Sequence, residues 1–423
     1  MVETTLDTYR FDPDQPALWA YGSDADWLKG EQVARLQHPG RLAADHPWLV
    51  PNRLFAQNAV QANKATVLRI IGTLLSWRTP TLTQLQALAD APPFHRDEPN
   101  LYGALCRLGA LSIGEPPAIR YRQADTDTTG LPTWASLSGE RRLIRDVVGL
   151  CVPEGREGDV RWMVDMLGGG RLGAGRVHVR HNTFAAHAGV CLSRDARVVA
   201  CGGDGWSGLE GLDPVAVRDA GVSALTGGDV LAVTRAGVSV GLEVQSSAGK
   251  VMEKSERWAR VLAASPLSRR GLVCVWVFIP QADGSYATME PVLERVRALP
   301  HMMVGSPVPV GMRMGWARWH DWFGEGGEPT ARLGVYTDMT GRARSVFDPQ
   351  WQALTPPVAD PDRVRDWGWT LMTRTLRDEW GVDVSRWRLP DAYRGGFHGF
   401  ALPDTPHTSR PDTSQPDTNG TTA

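Results

Sequence analysis

The chain has 423 residues, a formal net charge of −2 and 42% hydrophobic residues, which is room for two or three soluble domains of about 100–200 residues. No apolar run reaches the roughly 18 residues a membrane span needs. The start, "MVETTLDTYRFDPDQ", is acidic and polar rather than a secretory signal. Five widely spaced cysteines without a CxxC pair (Cys106, Cys151, Cys191, Cys201, Cys274) suggest neither a disulfide framework nor a zinc finger, so the cytoplasm is the expected compartment. A total this balanced neither supports nor excludes a nucleic-acid partner, and any basic patch has to be local.

Residues 1–52 show little periodicity and read as an N-terminal extension. "NAVQANKATVLRIIGTLLSW" then carries Val60, Val67, Leu68, Ile71, Leu74 and Leu75 at helical spacing and is expected to be one helix. "TPTLTQLQALAD" follows, with Thr79 or Thr81 as cap and Pro80 suited to a first turn. A third helix lies in "LYGALCRLGALSI", where Gly109 is placed to stop it, and "AIRYRQ" is a candidate strand. Three short helices and a strand are the plan of a winged helix-turn-helix over 53–125. In that plan Arg96, Asn100, Tyr102 and Arg107 lie exposed, on or beside the helix that would enter a major groove. A plain helical bundle for protein contacts is the alternative.

Residues 113–135 read as a linker or long wing loop, and "SGERRLIRDVVGLCV" as a helix. "GGGRLGAGRVHVRHN" is glycine-rich and basic but lacks the Gly-Lys-Ser/Thr of a phosphate-binding loop. Its Arg176 and Arg180 are candidate contacts to a nucleic-acid backbone, a solvated loop or hairpin being the alternative. His181 and His187 read first as structural histidines.

"DVLAVT" and "VSVGLEVQ" are strand-like runs around a tight turn, placing Asp229 near Glu243 across a hairpin. In the second run Val238, Val240, Leu242 and Val244 share one face, and Glu243 and Gln245 the other. "KVMEKSERWARVLAA" has helical spacing. Val251, Trp258 and Leu262 form its buried stripe, and Lys250, Lys254 and Arg257 a basic one. "GLVCVWVFIP" suits a strand buried on both faces. From 311 to 400 the chain is a Trp-rich extension, and 401–423 is a Pro/Thr/Ser/Asp tail expected to be disordered.

The expected fold class is therefore α+β multidomain, with a central αβββαβ core over 136–310. That order, with Asp and then Glu-x-Gln on neighbouring strands, resembles the PD-(D/E)xK, restriction-endonuclease-like nuclease superfamily. The resemblance implies Asp229 and Glu243 as ligands of Mg²⁺ or Mn²⁺. Gln245 stands where the superfamily has lysine, and Lys250 or Lys254 would supply the charge from the next helix. More narrowly, a winged helix followed by "RHNTFAAHAGVCL", "GGDVLAV", "GLEVQ" and "KSERW" resembles the replication-relaxation proteins of actinobacterial plasmids and mobile elements. That resemblance covers roughly 55–300 and maps the recurring positions onto His181, Asp229, Glu243 with Gln245, and Lys254 with Trp258. It implies a double-stranded DNA partner, and other plasmid replication or mobilisation proteins. Two other functions stand beside a metal-dependent endonuclease: a non-catalytic DNA-binding factor with a degenerate nuclease fold, and a protein-binding scaffold.

Overall fold

The computed structural model describes residues 5–348, apart from 21, 38–39, 118–130, 153, 156–159, 161–163, 165–175, 206, 208–213, 223–226, 235, 237, 246–250, 265–270, 282 and 303–308. The structure is mixed α+β, with a three-stranded and a seven-stranded sheet among the described residues. "AIRYRQ", residues 351–400 of the expected Trp-rich extension and the 401–423 tail lie outside the described residues.

The first half is built on α1 (Arg53–Ala62), α2 (Lys64–Trp77), α3 (Leu82–Ala89) and α4 (Leu101–Arg107). The expected single helix is two. Asn63 breaks it with φ −126° and ψ 33°, and its side-chain amide donates to the Ala59 carbonyl (2.8 Å), the backbone competition that disfavours asparagine inside helices. Thr81 begins α3 with a reciprocal cap to Gln84 (3.1 and 2.9 Å), which settles the choice between the two threonines. Gly109, at φ +87°, ends α4. The antiparallel sheet is β1 (Asp26–Leu28), β2 (Leu111–Glu115) and β3 (Trp134–Leu137) in that order. One further bridge joins Thr81 to Trp134.

The N-terminal segment is woven into both halves. β1 extends the small sheet, Trp48, Leu49 and Val50 enter the helical core, and Leu6 and Tyr9 enter the core of the large sheet. It also sheathes α4. Gly103 passes so close to the Trp48 carbonyl that any Cβ would collide with it. Tyr102 is fully buried, its hydroxyl donating to the Pro92 carbonyl (2.7 Å). Arg107 is 4% exposed and donates to the Val33 (2.7 Å) and Gln37 carbonyls. The expectation that Tyr102 and Arg107 stand exposed is therefore corrected. Val33, Gln37 and Trp48, from a stretch with no periodicity legible beforehand, lie against Arg107 and Gly103, while Pro92 and Phe94 lie against Tyr102.

After α5 (Arg141–Cys151) comes the large sheet. Its elements in order are α6 (Val179–Arg194), β4 (Val198–Gly203), a short helix over Pro214–Asp219, β5 (Val230–Thr234), β6 (Ser239–Gln245), α7 (Val251–Ala264) and β7 (Leu272–Phe278). β4, β5 and β6 form an antiparallel meander, and β7 returns parallel to β6. Val240, Leu242 and Val244 pack toward Phe184 and Val190 of α6. The alternate face lies against α7, whose Val251, Trp258 and Leu262 are buried as expected. β7 sends Val273, Val275 and Val277 to one core and Cys274, Trp276 and Phe278 to the other, which is why it is apolar throughout.

The sheet does not end at residue 310. Beyond α8 (Met289–Arg297), β8 (Met314–Arg318) pairs parallel with β7, and β9 (Val335–Asp338) and β10 (Ala343–Ser345) complete seven strands. Trp319 and Trp322 are buried there as packing residues. All five cysteines are free and buried, and no described helix is long and apolar enough to cross a membrane.

Because buried Arg107 bonds the buried Val33 carbonyl and also that of Gln37, Arg107→Ala is expected to destabilise the fold by about 1–3 kcal/mol. Urea unfolding checks this. A stability within 0.5 kcal/mol of wild type, on the order of an ordinary surface substitution, would contradict the buried role.

Candidate functional site

The alternation of β6 turns Glu243 away from its apolar neighbours and toward α7. Gly241, two residues earlier, makes room for the Trp258 ring, since a Cβ there would come within 2.5 Å of it. Trp258 therefore reaches the strand, and its indole N–H donates to Glu243 Oε1 (2.7 Å). One helical turn earlier, Lys254 Nζ donates to Glu243 Oε2 at 2.6 Å. Lys254 and Trp258 at i and i+4 thus clamp one carboxylate from one helix face.

Asp229 immediately precedes β5. Val230 pairs with Leu242, so Asp229 comes to the end of β6 that carries Glu243. Its Oδ2 accepts from the Val244 N–H (2.8 Å) and its Oδ1 lies 3.0 Å from His181 Nε2 in the first turn of α6. Glu243 has no exposure to solvent. The side chains of Asp229 (12%), His181 (23%) and Lys254 (33%) form a partly open mouth above it.

Burial penalises the charged form of all four groups, and their mutual field decides the outcome. Burial and then the Asp229 charge push the Glu243 carboxyl above the usual range, while Lys254 and Trp258 pull it back. Asp229 resists its own burial because His181 and Lys254 hold it well below the carboxylate range. Burial would lower Lys254 and His181, but in each case the facing carboxylates outweigh it and both sit above their ordinary values. Lysine therefore keeps its proton, while Glu243, pushed up to about 7, gains and loses its own near neutral pH.

Asp229, Glu243, Lys254 and Gln245 share this end of the sheet. Gln245 is 8% exposed, follows Glu243 on the same face, and its carbonyl accepts from Ile279 (3.0 Å). Lys250 lies outside the described residues. The residues expected to contact DNA are not gathered. Arg96 pairs with Glu115 and also donates to Thr133, and Asn100 caps α4 through Gly103 (3.1 Å). Arg176 pairs with Glu31 (2.7 Å), and Arg180 donates to the Pro280 carbonyl (2.9 Å) over the Phe184 ring. His187 is structural as expected, lying between Tyr9 Oη and the Gly327 carbonyl at 2.8 Å each.

Two residues at the mouth went unnoticed in the sequence. Asp204 follows β4, whose Gly203 pairs with Val230, so Asp204, Asp229 and Glu243 come to one end of three adjacent strands. Arg78, at the end of α2, forms an ion pair with Asp204. "CGGDGW" reads as a turn, and only the strand register exposes its acid. Among the described residues no group of three or more His, Cys, Asp or Glu side chains is arranged to hold a metal ion. Comparisons with protein-family models, curated proteins and solved structures return no match.

Lys254→Met leaves Glu243 with one donor and is expected to cost about 1–3 kcal/mol at pH 8. The folded pKa of Glu243 lies above its unfolded value, so the stability it contributes is present at low pH and lost as pH rises. Urea unfolding of the variant should show a smaller deficit at pH 5.5 than at pH 8; an equal deficit would refute the clamp.

Proposed function

We propose that the chain acts on DNA, and that residues 179–278 are a PD-(D/E)xK-like nuclease core cleaving phosphodiesters with a divalent cation. The observation that carries this reading is the convergence of Asp229, just before β5, with Glu243 of β6 and Lys254 of α7, on a helix, three strands, helix and strand interrupted by one short helix over 214–219. In this reading the resemblance to replication-relaxation proteins extends to role, and the DNA is that of a plasmid or mobile element.

The donor set fits a hard cation. Asp229 and Glu243 offer carboxylate oxygens on adjacent strands, and each oxygen that already accepts one hydrogen bond keeps a second lone pair. A Mg²⁺ or Mn²⁺ ion held there would neutralise phosphate charge and acidify a bound water. The chain's own groups do the rest. Lys254 balances the carboxylates at rest and offers its ammonium to a phosphate oxygen. His181, oriented by Asp229, can accept or return a proton at the mouth. Gln245 orients water beside them.

The helices of 64–107 with the β2–β3 hairpin follow winged-helix order, and the Thr81–Trp134 bridge is consistent with it. With α4 sheathed, that unit serves as a platform, and the DNA-facing surface in this proposal is the mouth at the sheet end.

A second reading, a non-catalytic DNA-binding factor, is favoured by Glu243 itself. Both of its oxygens are occupied by Lys254 and Trp258, and Gln245 replaces the expected lysine. Supercoiled plasmid incubated with Mg²⁺ or Mn²⁺ separates the two. The nuclease reading expects nicking or linearisation by wild type and a loss of at least about 100-fold in Glu243→Ala, since even outer-shell changes cost 10–100-fold. DNA binding without cleavage, with a melting temperature unmoved by Mn²⁺, would establish the second.

A further inference from the structure

Arg78 sits in a backbone conformation that side-chain-bearing residues avoid, with φ 61° and ψ −67°. The Thr79 N–H donates to the Trp77 carbonyl at 2.7 Å, closing a three-residue turn with Arg78 at its centre. This is the rare, strained form of the γ-turn, and a glycine would adopt it without penalty. The surroundings enforce it. The Trp77 ring is wedged against Gly189 of α6 and Gly203 of β4, Thr79 is fully buried, and the Pro80 carbonyl accepts from Ala135 (3.0 Å).

The only described partner of the guanidinium is Asp204, and the pair is partly exposed, with Arg78 38% and Asp204 24% exposed although the paired Asp204 Oδ2 is itself buried. A partly exposed ion pair offers at most a modest gain against a backbone strain that glycine would not carry. What the turn achieves is placement. It fixes a guanidinium on the mouth of the site, beside an acid whose field reaches Lys254 and which adjoins Asp229 across the β4–β5 register. Strained backbone of this kind is characteristic of functional positions, and the planar fork of arginine matches the oxygens of a phosphate.

We propose that Arg78 is a phosphate clamp: the strained turn aims its guanidinium at the non-bridging oxygens of a phosphodiester lying against Asp229 and Lys254, with Asp204 as its resting partner. The inference rests on the reading of this site as one for DNA and names the group recognised there. Asp204 holds the fork extended while no anion is present, and an incoming phosphate displaces it.

The test uses the full chain. Binding of a labelled DNA duplex is measured in Ca²⁺ across a range of salt, and melting temperature with and without inorganic pyrophosphate, for wild type, Arg78→Gly and Asp204→Asn. Arg78→Gly is expected to weaken DNA binding about tenfold, to reduce the slope of log K against log salt by about one, and to lose the shift caused by pyrophosphate. Its melting temperature without ligand should equal or exceed that of wild type, because the strain is gone. Asp204→Asn should bind as tightly as wild type or more so, the competing carboxylate having been removed. Unchanged binding and slope in Arg78→Gly would overturn the proposal. So would parallel losses of binding and stability in both variants, the mark of a merely structural pair. If wild type cuts nothing with Mn²⁺ yet shows Arg78-dependent binding, the nuclease reading falls and the clamp stands; a wild type that binds neither DNA nor pyrophosphate removes the clamp.

Discussion

A carboxylate without access to water governs the large sheet. Glu243 lies on an interior strand with zero exposure, and removing such a charge from solvent costs several kcal/mol. The fold offsets that cost with two donors, Lys254 and Trp258, both from α7. The rotation of α7 about its axis and its height above the sheet are thereby fixed by one acceptor, and Gly241 is required because the indole needs its space. Asp229 is subject to the same logic from the other side, with His181 and the Val244 N–H as its donors. The site is therefore a small lattice of alternating charge, and its polar groups determine how α6 and α7 sit on the sheet.

The two halves meet through buried polar bonds as well as apolar contact. Thr183 of α6 accepts the Trp134 indole N–H at its hydroxyl and the Gln84 amide at its carbonyl, both at 2.9 Å. Asn182 donates to Thr79 (3.3 Å), and the Ser76 hydroxyl accepts from Gly203 (2.9 Å). Directional bonds of this kind tolerate little sliding, so the end of α2 is held in register with the end of β4. The strained turn at Arg78 lies on this seam, where neighbours on both sides leave the backbone no cheaper path.

How much was legible depended on whether the information was local. The alternation in "VSVGLEVQ" set both the strand and the face of Glu243. The stripe of Val251, Trp258 and Leu262 set the packing side of α7, and "GLVCVWVF" announced a strand covered on both faces. Each is a pattern within one element, and each matches the structure. What was missed needed pairing between distant segments. The sheath over α4 comes from residues with no periodicity of their own, so nothing local marked Tyr102 and Arg107 as buried. β8 to β10 are short, and their place in the large sheet depends on β7 offering a free edge. Asp204 gains its meaning from the β4–β5 register, and Arg78 from a turn whose strain is imposed by Trp77, Gly189 and Gly203. The Trp258 indole was legible as core, but its second use as a hydrogen-bond donor required the geometry of Gly241.

The path of the N-terminal segment has a consequence for how the molecule is made. Tyr9 finds its partner in His187, 178 residues later, and Asp14 in His320, 306 residues later. At about 5–20 residues per second, ribosomal synthesis leaves Asp14 waiting roughly 15–60 s for that partner to be translated. During this interval Leu6, Tyr9 and Leu18, all buried in the finished fold, have no completed core to enter. β1 can pair early with β2, so the segment is tethered in its middle while its beginning remains unplaced. Leu6, Tyr9 and Leu18 are thus translated long before they are locked, and a nascent chain stalled before β8 displays their apolar surface to whatever binds emerging polypeptides.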